Sequence, residues 1–158
     1  MKALVVYYSR TGHAAQVAEQ IAKELGADAE RINDKKKRCG IIGWLGAGRD
    51  ATREIPADIE EPKKDPTAYD LVVVCTPIWA HRMSTPVLAY LKRFSGKLPA
   101  VAFFITCGGN YQQTLETMGG LAGKAPMATL VVLDRELKRG EHAVRLLEFV
   151  GKLSSPAQ

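Results

Sequence analysis

Short, uninterrupted apolar runs alternate along the chain with stretches of helical period. Ala3-Leu-Val-Val-Tyr-Tyr8 carries no polar residue, as expected of a parallel strand covered on both faces. Beyond Gly12 the period changes. Ala14, Val17, Ala18, Ile21, Ala22 and Leu25 fall on one face of an amphipathic helix, and Gly26 stops it. Residues 27–32 form a weaker second strand and Leu71–Cys75 a strong third, closed by Thr76-Pro77. Thr85-Pro86 reads as an N-cap with proline at the first helical position, followed by a helix facing inward through Val87, Tyr90, Leu91 and Phe94. Residues 100–106 give a fourth strand ended by Cys107-Gly108-Gly109. A helix over 112–122, a fifth strand over 128–133 and a last helix over 141–153, with Ala143, Leu146, Leu147 and Val150 inward, complete the pattern.

Strands separated by helices of this length imply right-handed crossovers and a doubly wound α/β sheet with helices on both faces. No repeat or second hydrophobic unit interrupts it, so one domain is expected over 1–158. The exception to the alternation is 34–68, where a helix should join strands 2 and 3. That stretch holds a lysine run, then Gly40-Ile-Ile-Gly-Trp-Leu-Gly-Ala-Gly48, then a proline- and acid-rich piece. Its glycine content predicts an irregular flap rather than a helix.

Charge sharpens this picture. The net +5 resides entirely in residues 31–53, where seven bases face two acids, and the rest of the chain is neutral. A basic segment on a neutral body suggests a local docking or steering surface. Nucleic acid is not the expected partner, since the segment predicts no basic helix and has no aromatic interleaving beyond Trp44. No apolar run reaches the length of a membrane span, and Met1-Lys2 leads directly into the first strand. Cys39, Cys75 and Cys107 are too far apart for a zinc knuckle and too few for a disulfide framework. A reducing, cytoplasmic setting is expected. Cys39, beside Lys37 and Arg38, is the one thiol in an electropositive surrounding.

Ligands of open parallel sheets bind outside the carboxyl ends of the strands. The loops after strands 1, 3 and 4 are the polar or glycine-rich ones here. Ser9-Arg10-Thr11-Gly12-His13-Ala14 combines two hydroxyls, a glycine, an arginine and a helix start, which suits a phosphate dianion. Competing motifs fail on spacing. Gly119-Gly-Leu-Ala-Gly-Lys124 is one residue short of a Walker loop. Gly46-Ala-Gly-Arg-Asp-Ala51 does not follow the first strand, and Cys75 to Arg82 is one residue too long for a cysteine-phosphatase loop. A response-regulator receiver needs acids where Tyr8 and Ser9 stand.

Tyr8-Ser-Arg-Thr-Gly-His-Ala14 resembles the phosphate loop of the flavodoxin family. Thr76-Pro-Ile-Trp-Ala-His81 with Ser84-Thr-Pro-Val87, and Phe103-Phe-Ile-Thr-Cys-Gly-Gly109, are similar to that family's other two cofactor loops, in the same order. The resemblance implies a five-stranded sheet ordered 2-1-3-4-5, which is flavodoxin's own order, and a bound FMN. On that basis Ser9, Arg10, Thr11, Gly12, His13 and Ala14 wrap the phosphate. Thr76, Pro77, Ile78, Trp79, Ala80 and His81 line one side of the ring. Thr106, Cys107, Gly108 and Gly109 line the other, with Tyr111 or Trp79 to stack. The pattern is departed from in three places: Ala14 replaces a threonine, no glycine lies between Thr76 and His81, and the chain is basic. The implied function is electron transfer to a redox partner protein or a small electron acceptor. An NAD(P)H-dependent quinone reductase and a flavin-free regulatory module are the alternatives.

Overall fold

The apolar run near the start of the chain becomes β1 (Ala3–Tyr7), every residue of it buried. The computed structural model describes residues 1–111 and 113–155. Gln112, the first residue of the helix expected over 112–122, and residues 156–158 of the expected domain lie outside the described residues.

β1 pairs in parallel with β2 (Asp28–Arg31) on one side and β3 (Leu71–Trp79) on the other. β5 (Ala100–Cys107) and β6 (Thr129–Leu133) extend the sheet, giving the order β2-β1-β3-β5-β6. A sixth strand, β4 (Arg82–Met83), folds back antiparallel on the end of β3. The five parallel strands follow the flavodoxin order when this two-residue hairpin arm is set aside, so the expected count of five omits β4.

The side-chain alternation of β1 divides the core. Leu4 and Val6 face one apolar cluster, which takes in α3 (Thr85–Arg93) and α4 (Thr114–Ala122). Ala3, Val5 and Tyr7 face the other, which takes in α1 (His13–Leu25) and α6 (Ala143–Ser154). Both sheet faces are therefore covered, which is why the central strands read as continuous apolar runs.

Three expectations are corrected. Residues 34–68 are not an irregular flap throughout, because Gly40–Thr52 forms a 13-residue helix, α2. Glycine disfavours it locally by roughly 0.5–1 kcal/mol per residue, but tertiary contacts override propensity. Ala47 and Ala51 are buried in the core, and Gly43 lies so close to Arg38 that a Cβ there would stand 2.6 Å from the Arg38 carbonyl carbon. A short helix, α5 (Asp134–Arg139), separates β6 from α6, which starts at Ala143. In α6, Leu146 and Val150 face inward with Phe149 and Leu153, whereas Ala143 and Leu147 are exposed. At α3 the cap falls on Ser84, one residue before Thr85.

Candidate functional site

The ends of β1, β3 and β5 and the inner side of α2 enclose a cavity of about 630 Å³. That is within the roughly 300–1,000 Å³ of small-molecule sites.

The first wall is the turn from β1 into α1. Ser9 is buried, and its Oγ accepts a hydrogen bond from the Gly12 N–H at 2.9 Å. The Ser9 carbonyl accepts from Arg31 Nη2 at 2.7 Å, which ties the turn to β2. Gly12 takes φ +95°, where a side chain would be strained, and so allows the tight entry into α1. No side chain caps α1 and no acid lies in its first turn. Its first ladder bond runs from Gln16 N–H to the Gly12 carbonyl at 3.0 Å, so the amides of His13, Ala14 and Ala15 leave the helix end without ladder partners. Ser9, Arg10, Thr11, His13 and Ala14 all border the cavity there. Free amides, the positive end of the helix dipole and the Arg10 charge make this end of the cavity selective for an anion.

The second wall is the end of β3, which runs four residues further than the pattern suggested. Pro77, Ile78, Trp79 and Ala80 line the cavity. Thr76 does not. It is fully buried, and its Oγ1 accepts from the Ser84 N–H at 3.0 Å and lies 3.0 Å from Ser84 Oγ, fastening β3 to the start of α3. Ala80 (φ 46°) and His81 (φ 65°) form the two-residue turn between paired Trp79 and Arg82. Consecutive positive φ angles are the signature of a type I′ hairpin turn, which favours Asn-Gly or Gly-Gly. Neither residue here is glycine, and each costs about 1–2 kcal/mol in that conformation. The turn carries His81 out of the main cavity into a neighbouring one of about 420 Å³, beside Arg82 and Lys92.

Thr106, Cys107 and Gly108 at the end of β5 make the third wall. Burial pushes the Cys107 thiol up, so it stands there as a neutral small group. Its Sγ points to the Gly109 carbonyl at 3.4 Å. Gly109, Tyr111 and Gly12 are not among the lining residues, and Tyr111 packs half-buried against the core. Trp79 meets Tyr8 edge-on at 5.4 Å, and the Arg38 guanidinium covers its ring at 5.4 Å.

Sequence reasoning missed most of the fourth wall. Trp44, Leu45, Ala47, Gly48 and Arg49 of α2 line the cavity, as does Asp134 at the start of α5. The expected flap holding Trp44 was the only signal for α2 at this wall. Asp134 could have been found by treating the end of the last strand like the other three. The wall is held by Arg38, which donates from Nε to Asp34 at 2.6 Å and from Nη1 to Asp50 at 2.9 Å. All three side chains are nearly inaccessible, at 3%, 3% and 8%. Desolvation acts to raise the Asp50 carboxyl, yet hydrogen bonds from Arg38 and Arg49 and the charge of Lys36 hold it below the usual carboxylate range.

A helix N-terminus with free amides facing flat and small apolar walls, at the strand ends of a doubly wound sheet, places the chain in the flavodoxin-like class of α/β domains. The chain belongs to the flavodoxin family, whose Flavodoxin_4 profile (Flavodoxin) it matches over residues 2–131. Solved structures share the fold at low identity. A flavoprotein from Lactobacillus acidophilus NCFM in complex with FMN is 21% identical with a TM-score of 0.71, over 87% of this chain and 97% of that one. An NADH:FMN oxidoreductase in its apo form is 14% identical, TM-score 0.59, over 100% and 92%. A short-chain flavodoxin associated with a bacterial microcompartment is 15% identical, TM-score 0.55, over 97% of each chain. No curated protein matches the sequence.

Proposed function

We propose that this chain is an FMN-binding redox protein that passes electrons to a redox partner protein or a small electron acceptor in the cytoplasm. The observation that carries this reading is the two-ended cavity: free helix amides with Arg10 at one end, and Pro77, Ile78 and Trp79 facing Trp44 and Gly108 at the other. A phosphate joined to a flat aromatic ring matches both ends. FMN supplies a ring that takes up and gives back one or two electrons. The residues of the chain bind it, orient it and set its charge environment.

Ser9, Arg10, Thr11, His13 and Ala14 hold the phosphate, and Gly12 supplies the turn that aims the amides. Pro77, Ile78, Trp79 and Ala80 form one side of the ring site, and Thr106, Cys107 and Gly108 the other. The cavity places two arginines, Arg10 and Arg49, against a single acid, Asp134. Arg10 is taken up by the phosphate, so the cation left toward the ring is Arg49, which is paired with Asp50 at 3.0 Å.

A second reading, an NAD(P)H-dependent quinone reductase, is favoured by the neighbouring cavity. His81, Arg82 and Lys92 line it across the hairpin from the ring site; Arg82 is paired with Glu54, which also lines it, and Lys92 offers a cation to an anionic substrate. Anaerobic stepwise reduction of the FMN-loaded protein separates the two. A carrier accumulates the one-electron-reduced flavin and consumes little NAD(P)H. Rapid NAD(P)H oxidation with a quinone, and direct passage to the two-electron-reduced state, would transfer the conclusion to the reductase.

A further inference from the structure

Nine large hydrophobic side chains are exposed among the described residues, and four of them, Ile41, Ile42, Trp44 and Leu45, fall within five positions at the start of α2. Ile41 is 80% exposed and Ile42 87%. Single exposed apolar residues need no explanation, but a contiguous cluster marks an interaction surface. The cluster does not stand alone. Lys36, Lys37 and Arg49 join Ile42 and Leu45 around a shallow groove of about 550 Å³. The only acids of the 31–53 segment, Asp34 and Asp50, are buried against Arg38; Asp50 also pairs with Lys36 and Arg49, but both stay 57% exposed, and with Lys37 they leave the surface around the apolar cluster with an excess of cations.

We infer that this face docks the protein on a negatively charged phospholipid membrane. An apolar helix face with a tryptophan, bordered by lysines, is the composition of an interfacial helix, in which side chains enter the acyl boundary while cations meet the headgroups. A protein partner fits the same face less well. Lysine is depleted at protein–protein interfaces, and here two lysines flank the anchor. The face is also continuous with the cavity described above, because Trp44 and Leu45 belong to both. Docking therefore turns the mouth of the cavity toward the lipid, where an apolar electron acceptor would be dissolved. No helix among the described residues is long and apolar enough to cross a membrane, so the attachment is peripheral. It stands on the α2 surface alone and does not require that FMN bind.

The test is sedimentation of the FMN-loaded protein with phosphatidylcholine vesicles, with and without roughly one-third phosphatidylglycerol. Binding is expected only to the anionic vesicles, and is expected to weaken as salt rises. Lys36→Ser with Lys37→Ser should lower the vesicle affinity roughly 25-fold, about fivefold for each cation. Ile41→Ser with Ile42→Ser should lower it at least about tenfold. Neither isoleucine lines the cavity, so FMN affinity measured in solution should be unchanged in that variant, which separates failure of docking from failure of the cofactor site. Absence of binding to anionic vesicles, equal binding to neutral ones, or an Ile41/Ile42 variant that binds as well as the parent would overturn the inference. In the first case, concentration-dependent self-association through the same residues would assign the face to a second copy of the chain.

Discussion

Arg38 is the residue through which the α2 wall is most open to attack. Its guanidinium bridges Asp34 on the β2 side and Asp50 on α2 at 2.6 and 2.9 Å and covers the ring of Trp79. Arg38→Met keeps much of the volume and removes the charge, leaving two inaccessible carboxylates without their shared partner. Breaking a buried pair in this way costs about 3–5 kcal/mol. Asp50 retains Arg49 at 3.0 Å and Lys36 at 3.6 Å, so about 3 kcal/mol is the expected loss in urea unfolding at pH 7. That is a large share of the roughly 5–15 kcal/mol of a typical domain.

The loss should depend on pH with a definite sign. The Asp50 carboxyl is depressed in the folded protein, opposed by desolvation but held down chiefly by the Arg38 and Arg49 hydrogen bonds. Its contribution is present above the unfolded carboxyl pKa of about 4 and is lost as pH falls through the folded value. In Arg38→Met the burial is opposed only by Arg49 and Lys36, so the charged carboxyl is held less well at neutral pH and its protonation costs the fold less than in the parent. The gap between variant and parent should therefore narrow below about pH 4. Adding Asp50→Asn to the variant should recover part of the loss at pH 7. A loss under about 1 kcal/mol at pH 7, or a gap constant across the acid range, would refute the account of how α2 is held.

Other outcomes follow from the same geometry. Gly43→Ala raises intrinsic helix propensity by about 1 kcal/mol, yet its Cβ would meet the Arg38 backbone at 2.6 Å, and a net loss of roughly 1–3 kcal/mol is expected in thermal unfolding. A gain would show that α2 does not pack as described. Ala80→Gly and His81→Gly should each stabilise the protein by roughly 0.5–1 kcal/mol, because relief of the positive-φ strain exceeds the entropy glycine adds to the unfolded chain. A loss in either would mean that the hairpin turn is not strained. Arg10→Ala with Thr11→Ala should weaken FMN by about tenfold to a hundredfold and leave riboflavin almost unaffected. Equal losses would remove the phosphate from this loop.

What could be read from the residues was whatever the core demands. β1, β3 and β5 are covered on both faces, so their sequences cannot be mistaken for amphipathic elements, and the stripe of α1 from Ala14 to Ala22 is buried as its spacing requires. Ser9 to Ala14 were legible because a polar, glycine-containing turn between a buried strand and an amphipathic helix has few structural uses. α2 was not legible, since glycine propensity argues against a helix there. What makes it one is packing rather than propensity: the Arg38 bridge, the close approach at Gly43, and the burial of Ala47 and Ala51. Thr76 was expected at the ring but serves the joint to Ser84, because strand periodicity does not tell where β3 stops. β4 and α5 are too short to impose a period. Leu147 lies one position off the buried stripe of α6 and is 56% exposed.

The central claim is that the phosphate end of the cavity recognises FMN. Its most direct test is titration of the apoprotein with FMN and with riboflavin, which differ in the phosphate alone, followed by flavin fluorescence and absorbance. The free amides of α1 and Arg10 predict that FMN binds at least about a hundredfold more tightly, and that the difference shrinks in Arg10→Ala with Thr11→Ala. Equal affinities for the two flavins, or binding of neither, would contradict it.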